Sequence, residues 1–191
     1  MRVTLVAVGL AVVLAACQTA YQGNENSPYY VVPVDSRLIL TQEIGFDRGQ
    51  VSIYVQNGKI LRFAEVQKYD PFCKFELFHL IETARTIAPD EIRVIKAFQE
   101  HKFDTFARTG MWHYAQLSAR HLAQSGSFGD GGPSLQSFTV QMDLRSSAQP
   151  EIFRMTCARW AAYPSAYEHL SITEIRQTLS PLFTLRTPAN R

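Results

Sequence analysis

Residues 137–145 read Ser-Phe-Thr-Val-Gln-Met-Asp-Leu-Arg, and residues 151–159 read Glu-Ile-Phe-Arg-Met-Thr-Cys-Ala-Arg. In the first stretch Phe138, Val140, Met142 and Leu144 alternate with polar side chains. That period of two puts one apolar row on one face of a strand. Ile152, Phe153, Met155 and Cys157 resume the apolar pattern after residues 146–150, so the two stretches predict a β-hairpin with a loop of about five residues.

The same pattern recurs upstream. Leu38 and Leu40 share a face within a β-rich run over residues 31–42, and Val51, Ile53 and Val55 align in the next. Asn57-Gly58 supplies the positive-φ turn that joins hairpin strands, with residues 59–63 as the return. Residues 72–79 alternate, and residues 92–98 follow a turn at Pro89 and Asp90. A short helical turn is expected over residues 82–87, and residues 99–118 are aromatic and mixed in sign, fitting either strand or helix. Near the end, Ser171 and Glu174 have capping-box spacing. Ile172, Ile175, Leu179 and Leu182 continue it as a helical stripe ending near Pro181, with a last strand at residues 183–186. Short strands, one closing helix and no alternating βαβ rhythm predict a mainly β (α+β) fold, an antiparallel β-sandwich or partly open barrel with one C-terminal helix.

At 191 residues and 46% hydrophobic side chains, the chain has material for one core. Nineteen basic against seventeen acidic residues give a net +2, and no run of five like charges occurs. That balance is no nucleic-acid footprint.

The N-terminus has a different character. Arg2 precedes an apolar run over residues 3–14 that is broken only by Thr4 and Gly9. The run is too short to cross a bilayer lastingly, but it has the composition of an export signal. Leu14-Ala15-Ala16-Cys17 then resembles the lipobox of bacterial lipoproteins. The resemblance implies a signal peptide over residues 1–16, cleaved before Cys17, with lipid on the Cys17 thiol; an ordinary secretory signal is the alternative. Several acyl chains anchor a protein stably where one does not, so the expected partner is a membrane, reached through the lipid. Gln18 rather than Asp after the cysteine favours release to the outer membrane, by resemblance to proteobacterial sorting. Residues 17–28 read as a flexible tether and residues 29–191 as a single β-rich periplasmic domain.

Cys73 and Cys157 are the remaining thiols, and an exported chain resides where disulfides persist. We expect them to bridge, closing a long loop worth roughly 4 kcal/mol in the chain-entropy model, with buried free thiols as the alternative. Neither cysteine has metal-ligand spacing around it, and the separation of His113 from His121 fits neither a helical nor a strand metal site. No metal or cofactor is expected. The glycine-rich run over residues 126–133 lacks the ending of a P-loop and reads as a surface loop. No Gly-x-Ser-x-Gly occurs, and Asp70, Asp90, Asp104, Asp130 and Asp143 fit turns or exposed strand faces.

Phe103, Phe106, Trp112 and Tyr114 cluster in sequence with Arg108. Such residues are enriched in interface cores, which makes them a candidate interaction patch, although aromatics also fill interiors. Cys157, Trp160 and residues 171–179 give the whole chain a resemblance to small, uncharacterised envelope lipoproteins of proteobacteria. That resemblance brings no activity with it. The expectation is a non-enzymatic interaction or assembly module whose partner is another envelope protein. The alternative is a small-molecule or glycan binding module using the aromatics between Phe98 and Tyr114.

Overall fold

The computed structural model describes residues 23–104, 135–162 and 169–188, with the side chains of Phe103 and Asp104 left aside. Cys17, Phe106, Arg108, Trp112, Tyr114 and the glycine-rich run over residues 126–133 lie outside the described residues.

Ten strands form in chain order: β1 (Arg37–Leu40), β2 (Ile44–Phe46), β3 (Ser52–Gln56), β4 (Lys59–Leu61), β5 (Phe72–Leu77), β6 (Arg85–Ile87), β7 (Asp90–Asp104), β8 (Leu135–Arg145), β9 (Ile152–Ala162) and β10 (Phe183–Arg186). Eight of them make one antiparallel sheet in the order β10-β1-β7-β8-β9-β5-β3-β4, curled into a half-barrel. The partly open barrel is therefore the form the β-rich pattern takes. β2 and β6 pair separately.

The alternation that predicts the strands also decides the faces. Leu38, Val94, Val140, Met142, Leu144, Phe75 and Met155 point to the concave side and are buried. Helix α1 (Ile172–Leu179) adds Ile172, Ile175 and Leu179 to that core and packs against β10, β5 and β3. Its start is fixed as the Ser171 and Glu174 spacing predicts: Ser171 Oγ accepts from the Glu174 amide, and the Glu174 carboxylate accepts from the Ser171 amide. A smaller cluster of Val66, Phe72 and Ala158, flanked by Tyr54, Leu61 and Trp160, packs separately from the main core.

Cys73 and Cys157 stand directly opposite each other on β5 and β9 and are disulfide-bonded, both fully buried. The bridge joins neighbouring strands of one sheet.

Three local expectations differ from the structure. Residues 82–87 hold no helical turn: Arg85–Ile87 is a strand whose partner, Ile44–Phe46, lies some forty residues earlier. The return strand after Gly58 stops at Leu61, and Phe63–Glu65 forms a 3-10 turn held by Arg62, whose Nε and Nη2 both donate to Glu65 Oε1. Contacts with the domain begin at Glu25, within the stretch read as a tether. The Glu25 carbonyl accepts from the Ile172 amide, its carboxylate accepts from Arg176 Nη1 at 2.6 Å and from Thr187 Oγ1, and Pro28 O accepts from Gln99 Nε2. A polar segment reads as a linker when the cation that holds it is 151 positions away.

That strap carries a pH prediction. Hydrogen bonds from Arg176 and then Thr187 hold the Glu25 carboxyl below its ordinary value, against the opposing effect of burial. A carboxyl with a lowered folded-state pKa contributes stability that is complete above its unfolded value and is lost as pH falls through the folded-state value. Acidification below the carboxylate range of roughly 4 should therefore raise hydrogen exchange at residues 25–30 before the sheet is affected. In Glu25→Gln this segment should exchange faster at neutral pH, and its acid response should flatten. An unchanged acid response in that variant would assign the effect to another group.

Candidate interaction surface

Two β-bulges set the surface at the turn end of the long strands. On β7, Val94 faces Leu144 and Lys96 faces Asp143, which leaves Ile95 as an extra residue. On β9, Ile152 faces Leu77 and Arg154 faces Glu76, which leaves Phe153 as the extra residue. A bulge breaks the inside-outside alternation and re-aims a side chain. Here both bulges flank the end of β8, and both put an apolar side chain where a regular strand would have none.

Ile95 is 38% exposed and Phe78, just past β5, is 51% exposed. The Phe78 and Phe153 rings lie 4.5 Å apart, and the Arg154 guanidinium sits 3.9 Å from the Phe153 ring centre. Arg154 is held from behind by Glu76 at 3.3 Å and by Gln141 Oε1. Between Phe78, Ile95, Leu144, Arg145, Pro150 and Ile152 lies a recess of about 230 Å³. Leu80, 63% exposed, follows close behind in sequence.

The adjacent turn is firm. Ser146 Oγ donates to Asp90 and accepts from the amides of Ala148 and Gln149, while the Gln149 side chain bonds Asp90 and both backbone groups of Ala88. These bonds lock the β8 to β9 turn onto the start of β7, so the recess is lined by fixed backbone. Asp90 thus serves a turn, as its place beside Pro89 implies.

At the opposite end of β7 and β8 the concave face turns polar. The His101 ring stacks on Phe138 with centres 4.4 Å apart and an angle of 5°, and its Nε2 lies 3.0 Å from Gln136 Oε1. His169 meets the same Phe138 ring edge-on at 5.5 Å. Burial, and then the charge of His101, hold the His169 pKa below its ordinary value, against the opposing effect of a hydrogen bond from the His169 ring to the Thr139 backbone carbonyl. Arg159 pairs with Glu174 at 3.0 Å. This end holds α1 to the sheet through Arg159, and the neutral state favoured for His169 suits packing against an aromatic ring. Among the described residues no three His, Cys, Asp or Glu side chains gather as a metal site.

Of the sequence-predicted site residues, Cys73 and Cys157 are brought together as expected. Phe103 takes the position opposite Gln136 near the end of β7. The two bulge residues Ile95 and Phe153 were not expected from the sequence, whose one signal for them is the broken alternation at Val94-Ile95 and Ile152-Phe153, where two apolar residues stand together in an otherwise alternating strand.

No family model, curated protein or solved structure matches this chain.

Proposed function

We propose that this chain is a lipid-anchored, non-enzymatic protein of the cell envelope that acts as an interaction or assembly module. Residues 1–16 direct export and are removed, Cys17 carries the lipid, and the domain faces the periplasm from the outer membrane. The partner is another envelope protein. The observation that carries the module reading is the exposed apolar pair Phe78 and Ile95, with half-buried Phe153 packed on the Phe78 ring and Arg154 against the Phe153 ring. Apolar side chains clustered in the open, with arginine beside them, are what protein interfaces are made of. The recess beside them is smaller than the 300 Å³ or so at which small-molecule sites begin, which favours a protein partner over a small ligand. The buried Cys73 to Cys157 bridge supports an oxidising compartment and so an exported chain.

The address is tested by the intact mass of the native protein extracted from membranes. The expected species starts at Cys17 and is heavier by its acyl chains; an unmodified Cys17 or a chain starting elsewhere would refute the anchor. The surface is tested by Phe78→Ser with Ile95→Ser. Both positions are substantially exposed, so stability should change by no more than about 1 kcal/mol. Photo-crosslinks placed at Leu80 should nevertheless lose their envelope partner in that variant. Undiminished crosslinks in a folded variant would remove this surface from the reading.

A further inference from the structure

The strand register places four arginines in one file across the sheet. Arg186 of β10 is opposite Arg37 of β1, Arg37 is opposite Arg93 of β7, and Arg93 is opposite Arg145 of β8. All four are exposed, while Leu185, Leu38, Ile92 and Leu144 beside them are buried, so the file runs along the outer face. Strands about 4.8 Å apart give it a length of about 14 Å.

Like charges directly opposite one another destabilise a sheet. The offset within the structure is partial: Asp35 lies 2.9 Å from Arg93 and Glu91 lies 3.5 Å from Arg37, both pairs well exposed. No ion pair among the described residues involves Arg145 or Arg186, which end the file on either side. The arrangement is costly to the fold on its own and suited to an extended anionic surface. Guanidinium groups bind phosphate oxygens in a bidentate manner.

The strap points to which surface that is. Glu25 is bonded by Thr187, the residue directly after Arg186. Eight residue steps separate Glu25 from Cys17, a reach of at most about 29 Å in any conformation. A lipid on Cys17 therefore keeps the Arg186 end of the file close to a bilayer, at an effective concentration at which weak contacts suffice.

We propose that the file of Arg186, Arg37, Arg93 and Arg145 is a membrane-facing surface that lies against the phosphate headgroups of anionic lipid. Its place in the cell rests on the lipid-anchor reading; its chemistry does not. Contact with headgroups at the file and docking of the strap at Thr187 together give the domain a fixed orientation on the bilayer.

The test is sedimentation of the chain from residue 17 onward, carrying Cys17→Ala, with vesicles of phosphatidylcholine alone or with phosphatidylglycerol added. Binding is expected to the phosphatidylglycerol vesicles and to be lost at high salt. Each arginine near an anionic surface is worth about fivefold, so Arg145→Gln with Arg186→Gln should lower partitioning roughly thirtyfold. The same variant should melt no lower than the parent, because like charges have been removed from one file. Asp35→Asn with Glu91→Gln should tighten binding. Lys59→Gln, on β4 at the other edge of the sheet, should weaken it far less than either file substitution. Equal sedimentation with both vesicle types, or equal losses from Lys59→Gln and the file substitutions, would overturn the proposal. Vesicle binding of this kind together with a native Cys17 that carries no lipid would uphold the arginine surface and remove only the anchor reading.

Discussion

Gly58→Ala is expected to destabilise the domain by about 2 to 5 kcal/mol, as the sum of backbone strain and a forced overlap. Asn57 and Gly58 are the two turn residues between Gln56 and Lys59, with φ of 51° and 70°. Asparagine tolerates the left-handed region, whereas alanine at position 58 would be strained there. The second penalty comes from α1. The Gly58 amide donates to Thr178 O at 2.9 Å, so the hairpin tip is docked on the end of the helix. A Cβ on residue 58 would overlap the Ser180 carbonyl oxygen and fall 2.7 Å from the Ser180 carbonyl carbon and 2.5 Å from Pro181 Cδ. Two of those atoms are backbone and the third is in a ring, so none can swing aside. Relief requires the hairpin or the helix end to move, and either movement disturbs Leu179 and Val55 in the core. A urea titration measures the loss; Asn57→Gly serves as the control, since it keeps the turn and adds no atom. A Gly58→Ala midpoint equal to the parent's would mean that the hairpin is not seated on the helix.

The second large effect is expected from the disulfide. Replacing both Cys73 and Cys157 with alanine should cost about 4.5 kcal/mol, the loop-closure entropy restored to an unfolded chain whose linked residues are 84 positions apart. That is a large part of the 5 to 15 kcal/mol typical of a domain. Both cysteines are fully buried, so reductant should reach the bridge only through opening of the β5 and β9 pair. Intact mass should rise by two protons on reduction after unfolding and remain unchanged under the same reductant in native buffer. A double variant as stable as the parent would show that the sheet holds β5 against β9 without the bond.

Much of the architecture was legible because it rests on local chemistry. The alternation in residues 137–145 is the inside and outside of β8, Asn57-Gly58 is a turn that needs positive φ, and Ser171 with Glu174 starts α1. The last strand at residues 183–186 also falls where expected. What the sequence hid depends on pairing between distant segments. Ile44–Phe46 and Arg85–Ile87 are three residues each, too short for a period to register, and neither has a recognisable signal until it finds the other. β7 continues to Asp104 through residues whose composition fits strand or helix, because β8 supplies its partner the whole way. The arginine file is the extreme case. Each arginine stands near the end of its own strand, unremarkable where it occurs in the chain, and the four meet only through three separate registers.

The most direct test of the module reading is copurification from native membranes after in-cell crosslinking, comparing the parent with Cys17→Ala and with Phe78→Ser plus Ile95→Ser. A reproducible envelope partner should be held by the parent and lost from both variants while the protein remains folded and abundant. A parent that captures nothing beyond background, or a partner held equally by all three chains, would contradict that reading.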